Sequence, residues 1–232
     1  MKTYFTSDTH ICHVNMTKAG KDLCGRPFAD VDEMNHALLV NINETVGNER
    51  LVMLGDNLMG KWAEGLEWAS QLTCDEVLWL PGNHDRWSRT NDKQWKPSSS
   101  DSKAARDAKN LANRQKYAAE LEGAREGFRV LLEDEDWEFR RSWNFCQLSD
   151  EWEGNPLDRA QFSHYPHEGE SWGGREDRYK ELRPVAATPV VCGHVHTSWA
   201  ERGNQFNAGV DVRNYAPVSE DEIAKWMETL DG

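Results

Sequence analysis

Glu76-Val77-Leu78-Trp79-Leu80-Pro81-Gly82-Asn83-His84-Asp85 is the stretch that decides the fold. A short apolar run of strand type ends at a glycine, and a block of polar, ligand-type side chains follows. Strand-type runs also lead into polar blocks twice upstream. Lys2–Ser7 is a β-rich run ending in Asp8-Thr9-His10, and Leu51–Leu54 ends in Gly55-Asp56-Asn57. Helical patterns separate these runs. Over Asp32–Val46, Met34, Leu38, Ile42 and Val46 recur every fourth residue, with Ala37 and Leu39 widening the stripe. Asp30 followed by Glu33 resembles a capping box at its start. Trp62–Leu72 reads as a second helix. Alternation of strand and helix predicts an α/β fold with buried strands. In such folds ligands bind beyond the carboxyl ends of the strands, where the polar blocks fall.

The texture changes after Asp85. Pro97-Ser98-Ser99-Ser100-Asp101 is a polar loop, and Ser102–Arg125 carries a solvated helical pattern. Strand character returns near Phe128–Leu132, Trp137–Trp143, Ala160–Ser163, Val190–Cys192 and Gln205–Asn207. Ser219 with Glu222 forms a capping box for a last helix bearing Ile223, Trp226, Met227 and Leu230 on its apolar face. With no internal repeat, residues 1–232 read as one domain carrying an insertion at about 86–132. That insertion is either a lid over the crevice or a peripheral decoration.

Composition narrows the function classes. The chain has 232 residues, 38% hydrophobic and 29% charged, enough for one domain with a core. No apolar run approaches the roughly 18 residues of a membrane span. The first residues, Met1-Lys2-Thr3-Tyr4-Phe5, show no secretory apolar region. Net charge is −13, from 27 basic and 40 acidic residues. That disfavours long nucleic acids and anionic membranes, both of which are gripped through Lys and Arg. Cys12, Cys24, Cys74, Cys146 and Cys192 form no C-x-x-C pair. A reducing, cytoplasmic setting fits that usage.

Chemistry concentrates in five blocks: Asp8-Thr9-His10, Gly55-Asp56-Asn57, Gly82-Asn83-His84-Asp85, His164-Tyr165-Pro166 and Gly193-His194-Val195-His196. Asp-x-His and Gly-Asp alone are common, while Gly-Asn-His-Asp and Gly-His-x-His are moderately specific. In this order, each at a strand end, they make a joint signal. Their carboxylates, amide and imidazoles suit Mn, Fe, Zn or Ni better than Ca or Mg alone. The order D-x-H, G-D-x, G-N-H-D, H, G-H-x-H resembles the calcineurin-like metallophosphoesterase superfamily. Gly209-Val210-Asp211-Val212, Tyr215-Ala216-Pro217-Val218, Asp177-Arg178-Tyr179 and Arg183-Pro184 resemble its small bacterial and phage branch.

The resemblance implies a four-layer α/β/β/α sandwich with a helical insertion and a centre of two divalent metal ions. By that likeness Asp8, His10 and His196 would hold the first metal, and Asp56 would bridge both. Asn83, His164 and His194 would hold the second. It further implies in-line attack on phosphorus by a hydroxide held between dications about 3.5–4 Å apart. Manganese is the expected ion, with Fe, Zn or Ni as alternatives. His84 would face the substrate as a catalytic residue, Asp85 would fix its tautomer, and His13 would also face the substrate. His36 reads as a surface residue, and His167 as a loop residue near the site. Trp87 and Trp172 are weaker candidates for a stacking contact, and Arg178 and Arg183 for a phosphate contact.

Family serine/threonine phosphatases carry G-D-x-x-D-R-G, where this chain has Gly55-Asp56-Asn57-Leu58-Met59-Gly60. The missing arginine disfavours a protein phosphatase. A small phosphodiester or nucleotide is the expected partner, 2′,3′-cyclic nucleotides being favoured. A phosphomonoesterase, a nucleotide pyrophosphatase, a non-catalytic nucleotide-binding module and an RNA endonuclease stand as alternatives.

Overall fold

A computed structural model describes residues 1–19, 24–94, 102–133, 142–144, 148, 155–170, 179–184 and 188–230. In chain order the strands are β1 (Thr3–Thr6), β2 (Arg50–Met53), β3 (Glu76–Trp79), β4 (Phe128–Val130) and β5 (Trp143–Asn144). They continue with β6 (Gln161–Phe162), β7 (Val190–Cys192), β8 (Glu201–Arg202), β9 (Gln205–Asn207) and β10 (Val218–Ser219). The helices are α1 (Val31–Val46), α2 (Trp62–Ala69), α3 (Lys103–Glu122) and α4 (Glu220–Glu228).

Two five-stranded sheets result, ordered β10-β1-β2-β3-β4 and β5-β6-β7-β9-β8. Strands β1 to β4 run parallel, so their carboxyl ends share one edge. In the second sheet β6, β7 and β9 are parallel, with antiparallel β5 and β8 at the rims. Strand side chains alternate between faces, so each strand of the first sheet feeds two cores. Val52, Leu54, Leu78 and Leu80 pack with Phe162, Val191 and Phe206 of the second sheet, and α4 adds Ile223, Trp226 and Met227. Leu51, Met53, Val77 and Trp79 pack with Met34, Leu38, Ile42 and Val46 of α1 and Trp68 of α2. Burial on both faces is why these strands read as continuous apolar runs. The mixed α/β architecture expected from the sequence is present.

Local signals hold where they rest on caps. Asp30 accepts from the N–H groups of Asp32 and Glu33 at the start of α1. Ser219 and Glu222 form the reciprocal capping box of α4. Ser102 caps α3 by accepting from the Ala105 N–H. The region 86–132, expected as an insertion, also contributes a strand to the first sheet. Strand β4 is hydrogen-bonded in parallel to β3, so α3 is the crossover helix of a further β-α-β unit. Trp87 is fully buried, with its ring 6.2 Å from that of Trp62. It braces this unit and does not reach a substrate. The Pro97–Asp101 loop and most of the predicted Trp137–Trp143 strand lie outside the described residues. Among the described residues no helix is long and apolar enough to cross a membrane.

Phe5 joins the sheets: it is fully buried and stacks on Phe162 with ring centroids 5.0 Å apart. Replacing Phe5 with Ala removes that contact and leaves a cavity. The expected loss is about 3–5 kcal/mol, read as a lower urea midpoint. A loss under about 1 kcal/mol would show that the sheets are not held through this ring.

Candidate metal centre

The ligand-type side chains arrive from five strand ends. Asp8 and His10 follow β1, Asp56 follows β2, and Asn83 and His84 follow β3. His164 follows β6, and His194 and His196 follow β7. Backbone bonds stitch these ends together. Asp8 N–H donates to Gly55 O at 3.0 Å, His10 N–H to Asp56 O at 3.1 Å, and Gly193 N–H to His164 O at 3.0 Å.

The turns are tight enough to force unusual backbone. Asp8, His10, Asp56, His194 and His196 all have φ between 46° and 71°. A non-glycine residue in that region costs on the order of 1–3 kcal/mol and persists only where its surroundings over-determine it. Two glycines permit the crowding. A Cβ at Gly82 would collide with the Asp56 backbone N and carboxylate, and one at Gly193 with Ser7 Oγ and Asp8 Oδ2.

Two donor groups share one carboxylate. Asp8 Oδ1 lies 4.0 Å from His10 Nε2 and 3.8 Å from His196 Nε2. Asn83 Oδ1 lies 3.2 Å from His164 Nε2 and 3.0 Å from His194 Nδ1. Between them Asp56 Oδ2 is 3.8 Å from His10 Nε2 and 3.4 Å from His164 Nε2. Asp8-His10-His196 and Asp8-Asp56-His164 each converge closely enough to hold a metal ion.

The residues fit dications on a direct observation. Asp8 Oδ1 and His10 Nε2 are buried and make no hydrogen bond, although a buried orphan polar atom is costly. Both point into the cluster, and both are metal-ligand atoms. Expected ligands Asp8, His10, Asp56, Asn83, His164, His194 and His196 are all buried there together.

Electrostatics express the same demand. Burial would raise the Asp56 pKa, but the imidazoles of His164 and His84 hold it well below the carboxylate range. Burial would lower that of His164, yet Asp56 overrides it and raises it to about 9. His196 is likewise raised against its burial, by Asp8 and then by Asp211. Burial and the neighbouring His196 hold His10 well below the usual imidazole value. The carboxylates therefore draw positive charge into the cluster from whatever supplies it.

The substrate-side residues divide. The His84 ring stands at the mouth, 45% exposed, with Nε2 3.9 Å from Asp56 Oδ2. The His13 ring lies 5.4 Å from that of His10, and its Nδ1 is buried without a partner. Asp85 corrects the expectation that it would pair with His84. Its carboxylate accepts instead from the N–H groups of Asp56 at 2.7 Å, Asn57 at 3.0 Å and Gly82 at 2.9 Å. It fixes two ligand loops and not an imidazole.

Other candidates fall outside the centre. His36 is exposed on α1. His167 sits between the carbonyl groups of Pro184 and Thr188. Arg183 is buried, with donors on the Glu170 carboxylate and on the Pro166 and Gly169 carbonyl groups. Cys192 is a buried apolar filler, and the described cysteines Cys12, Cys24, Cys74 and Cys192 are free. Trp172, Asp177, Arg178 and Cys146 lie outside the described residues. Sequence reasoning missed Cys24, Arg26, Glu170 and Asp211 at the rim. Cys24 Sγ lies 3.5 Å from His196 Nδ1, and Asp211 Oδ2 lies 2.8 Å from the same nitrogen. Only the short polar turn Gly209-Val210-Asp211 after β9 gave a local signal.

Comparison with known proteins agrees with this geometry. The chain is similar to an uncharacterized protein of Methanocaldococcus jannaschii, 38% identical over 88 residues. That match covers 37% of this chain and 48% of the relative, so the chain spans about half of that protein's length. No solved structure matches. The family model for calcineurin-like phosphoesterases matches residues 1–198, which include all seven expected ligands. The chain belongs to the calcineurin-like phosphoesterase family.

Proposed function

We propose that this chain is a metal-dependent phosphodiesterase that hydrolyses small phosphodiesters, with 2′,3′-cyclic nucleotides favoured and manganese as the preferred ion. The observation that carries the reading is the position of Asp56 Oδ2, shared between His10 and His164, with the exposed His84 ring beside it. Asp8, His10, His196 and Asp56 would hold one ion, and Asp56, Asn83, His164 and His194 the other. Dications there supply Lewis acidity, neutralising phosphoryl oxygens and lowering the pKa of water from about 15.7 towards 7.

The chain's own residues supply positioning and proton transfer. Asp56 Oδ1 accepts from the His84 N–H at 2.8 Å, which fixes the His84 backbone against the bridging carboxylate. The His84 ring then stands over the open side of the cluster. There it stabilises the charge that grows on phosphorus-bound oxygen and donates a proton to the departing oxygen. His13, with its ring 5.4 Å from that of His10, would line the same mouth. Burial lowers its pKa, so at neutral pH it meets the substrate as a neutral imidazole. The net charge of −13 supports a small substrate over a polyanion.

Three measurements test the reading. The protein should hydrolyse bis(p-nitrophenyl) phosphate with added Mn²⁺ and lose turnover on chelation. Absence of turnover with every divalent metal would sink the activity. Faster turnover of the aryl monoester would point to a phosphomonoesterase.

Asp56→Asn should lose bound metal and activity together, because the shared carboxylate loses its charge; metal content on the purified variant decides it. His84→Ala should keep both ions while turnover falls about 10²–10⁴-fold. If His84→Ala loses metal, His84 is a ligand and the assigned role is wrong.

A further inference from the structure

The two histidines of Gly193-His194-Val195-His196 present opposite ring edges to the centre. His196 directs Nε2 at Asp8 Oδ1, 3.8 Å away, while its Nδ1 lies 2.8 Å from Asp211 Oδ2. His194 directs Nδ1 at Asn83 Oδ1, 3.0 Å away, while its Nε2 lies 3.2 Å from Glu170 Oε2. In each case the edge turned away from the ligand cluster meets a carboxylate. A neutral imidazole has one N–H and one lone pair, and a carboxylate only accepts. With a dication taking the inward lone pair, the N–H of each ring is held on the outer edge by its carboxylate.

Both carboxylates are themselves clamped by a buried arginine. Arg26 donates to Asp211 twice, from Nε at 2.7 Å and from Nη2 at 2.9 Å. Arg183 Nη2 donates to Glu170 Oε1 at 3.2 Å. Each guanidinium also grips backbone on a ligand loop. Arg26 donates to Asp8 O at 2.6 Å and to Thr9 O at 2.8 Å. Arg183 donates to Pro166 O at 2.9 Å, two residues after His164, and to Gly169 O at 2.6 Å. Each clamp thus ties one histidine of the block to the loop bearing another ligand of the same group. Arg26 and Asp211 join His196 to Asp8; Arg183 and Glu170 join His194 to His164.

We propose that Asp211 and Glu170 are positioning residues, each fixing the ring orientation and tautomer of one metal-binding histidine, with Arg26 and Arg183 as their anchors. The inference rests on the two-metal reading and extends it to four residues outside the ligand set. A buried arginine–carboxylate pair serving only as a core brace would hold the fold together and leave metal affinity alone. The pairing with opposite histidine edges is what such a brace does not require. Outer partners of metal-bound histidines typically contribute about 10–100-fold in metal affinity.

The test uses the charge-neutral isosteres Asp211→Asn and Glu170→Gln, with Mn²⁺ titrated into the metal-free full chain by calorimetry. Each variant should weaken one of two binding events by about 10–100-fold and spare the other. The Asp211→Asn effect should vanish in a His196→Ala background and persist in a His194→Ala background. On Zn²⁺-loaded wild type, nitrogen NMR of the imidazoles should place the remaining ring proton on Nδ1 of His196 and on Nε2 of His194. That readout needs no variant, so it decides the case even if Asp211→Asn does not fold. Folded variants with two wild-type affinities, or the reversed ring protons, would overturn the positioning role while leaving the phosphodiesterase reading intact. A wild-type chain that binds no ion overturns both.

Discussion

The Asp85 carboxylate is the contact on which the centre depends. It accepts from the backbone N–H groups of Asp56, Asn57 and Gly82, which lie in the turns after β2 and β3. Asp56 returns the favour, since its Oδ1 accepts from the His84 N–H. The two aspartates therefore lock each other's loops, and the shared oxygen Asp56 Oδ2 is left as the free corner of the lock. Backbone donors favour the ionised Asp85, but burial and the nearby Asp56 charge push its pKa up to about 7. Protonation of Asp85 would remove acceptor capacity from the lock. The geometry of Asp56, the expected bridging ligand, is thus set by a carboxylate outside the expected ligand set.

The same economy explains the backbone of the ligands. Five of the seven expected ligands sit at positive φ, and none of them is glycine. Such residues survive where packing and hydrogen bonds leave no alternative. Two cores on either face of the first sheet, built from Phe5, Val52 and Leu78 on one side and Leu51, Val77 and Trp79 on the other, make that sheet rigid. Strained turns at its carboxyl edge are the consequence of drawing five strand ends to one point. Side chains short enough to converge there are aspartate, asparagine and histidine, which is also the donor set for transition dications.

Much of this was legible in the sequence because it is local. Short apolar or β-rich runs ahead of polar blocks located β1, β2, β3 and β7, and the expected ligands were named from those blocks. Caps located α1 and α4 to within a residue or two. What failed was non-local or inferred from adjacency. Asp85 follows His84 in the chain and so read as its partner, but the turn aims its carboxylate at the backbone of the neighbouring loop. Strand β4 read as part of an insertion because α3 buries only Arg114, Ala118 and Leu121 and so carries a weak apolar stripe. The short rims β8 and β10 gave no periodic signal at two residues each. Arg26 and Asp211 are 185 positions apart, and no spacing rule joins them.

Charge ties these pieces together. On an acidic chain the two best-buried arginines near the centre, Arg26 and Arg183, are committed to Asp211 and Glu170. They neutralise the outer carboxylates, and Arg26 meets the Asp8 loop through the Asp8 and Thr9 carbonyl groups. Among the described residues the groups that face the Asp8 and Asp56 carboxylates are imidazoles. Without dications, protons on His164 and His196 must supply the positive charge, which is why both pKa values stand above the ordinary histidine value despite burial. Histidine binds a metal only as a neutral ring, so dications entering the cluster would replace those protons. The exchange raises the local charge while the surface stays acidic. An attractive field confined to a crevice favours a compact anion, whereas a long polyanion would also meet the repulsive surface around it.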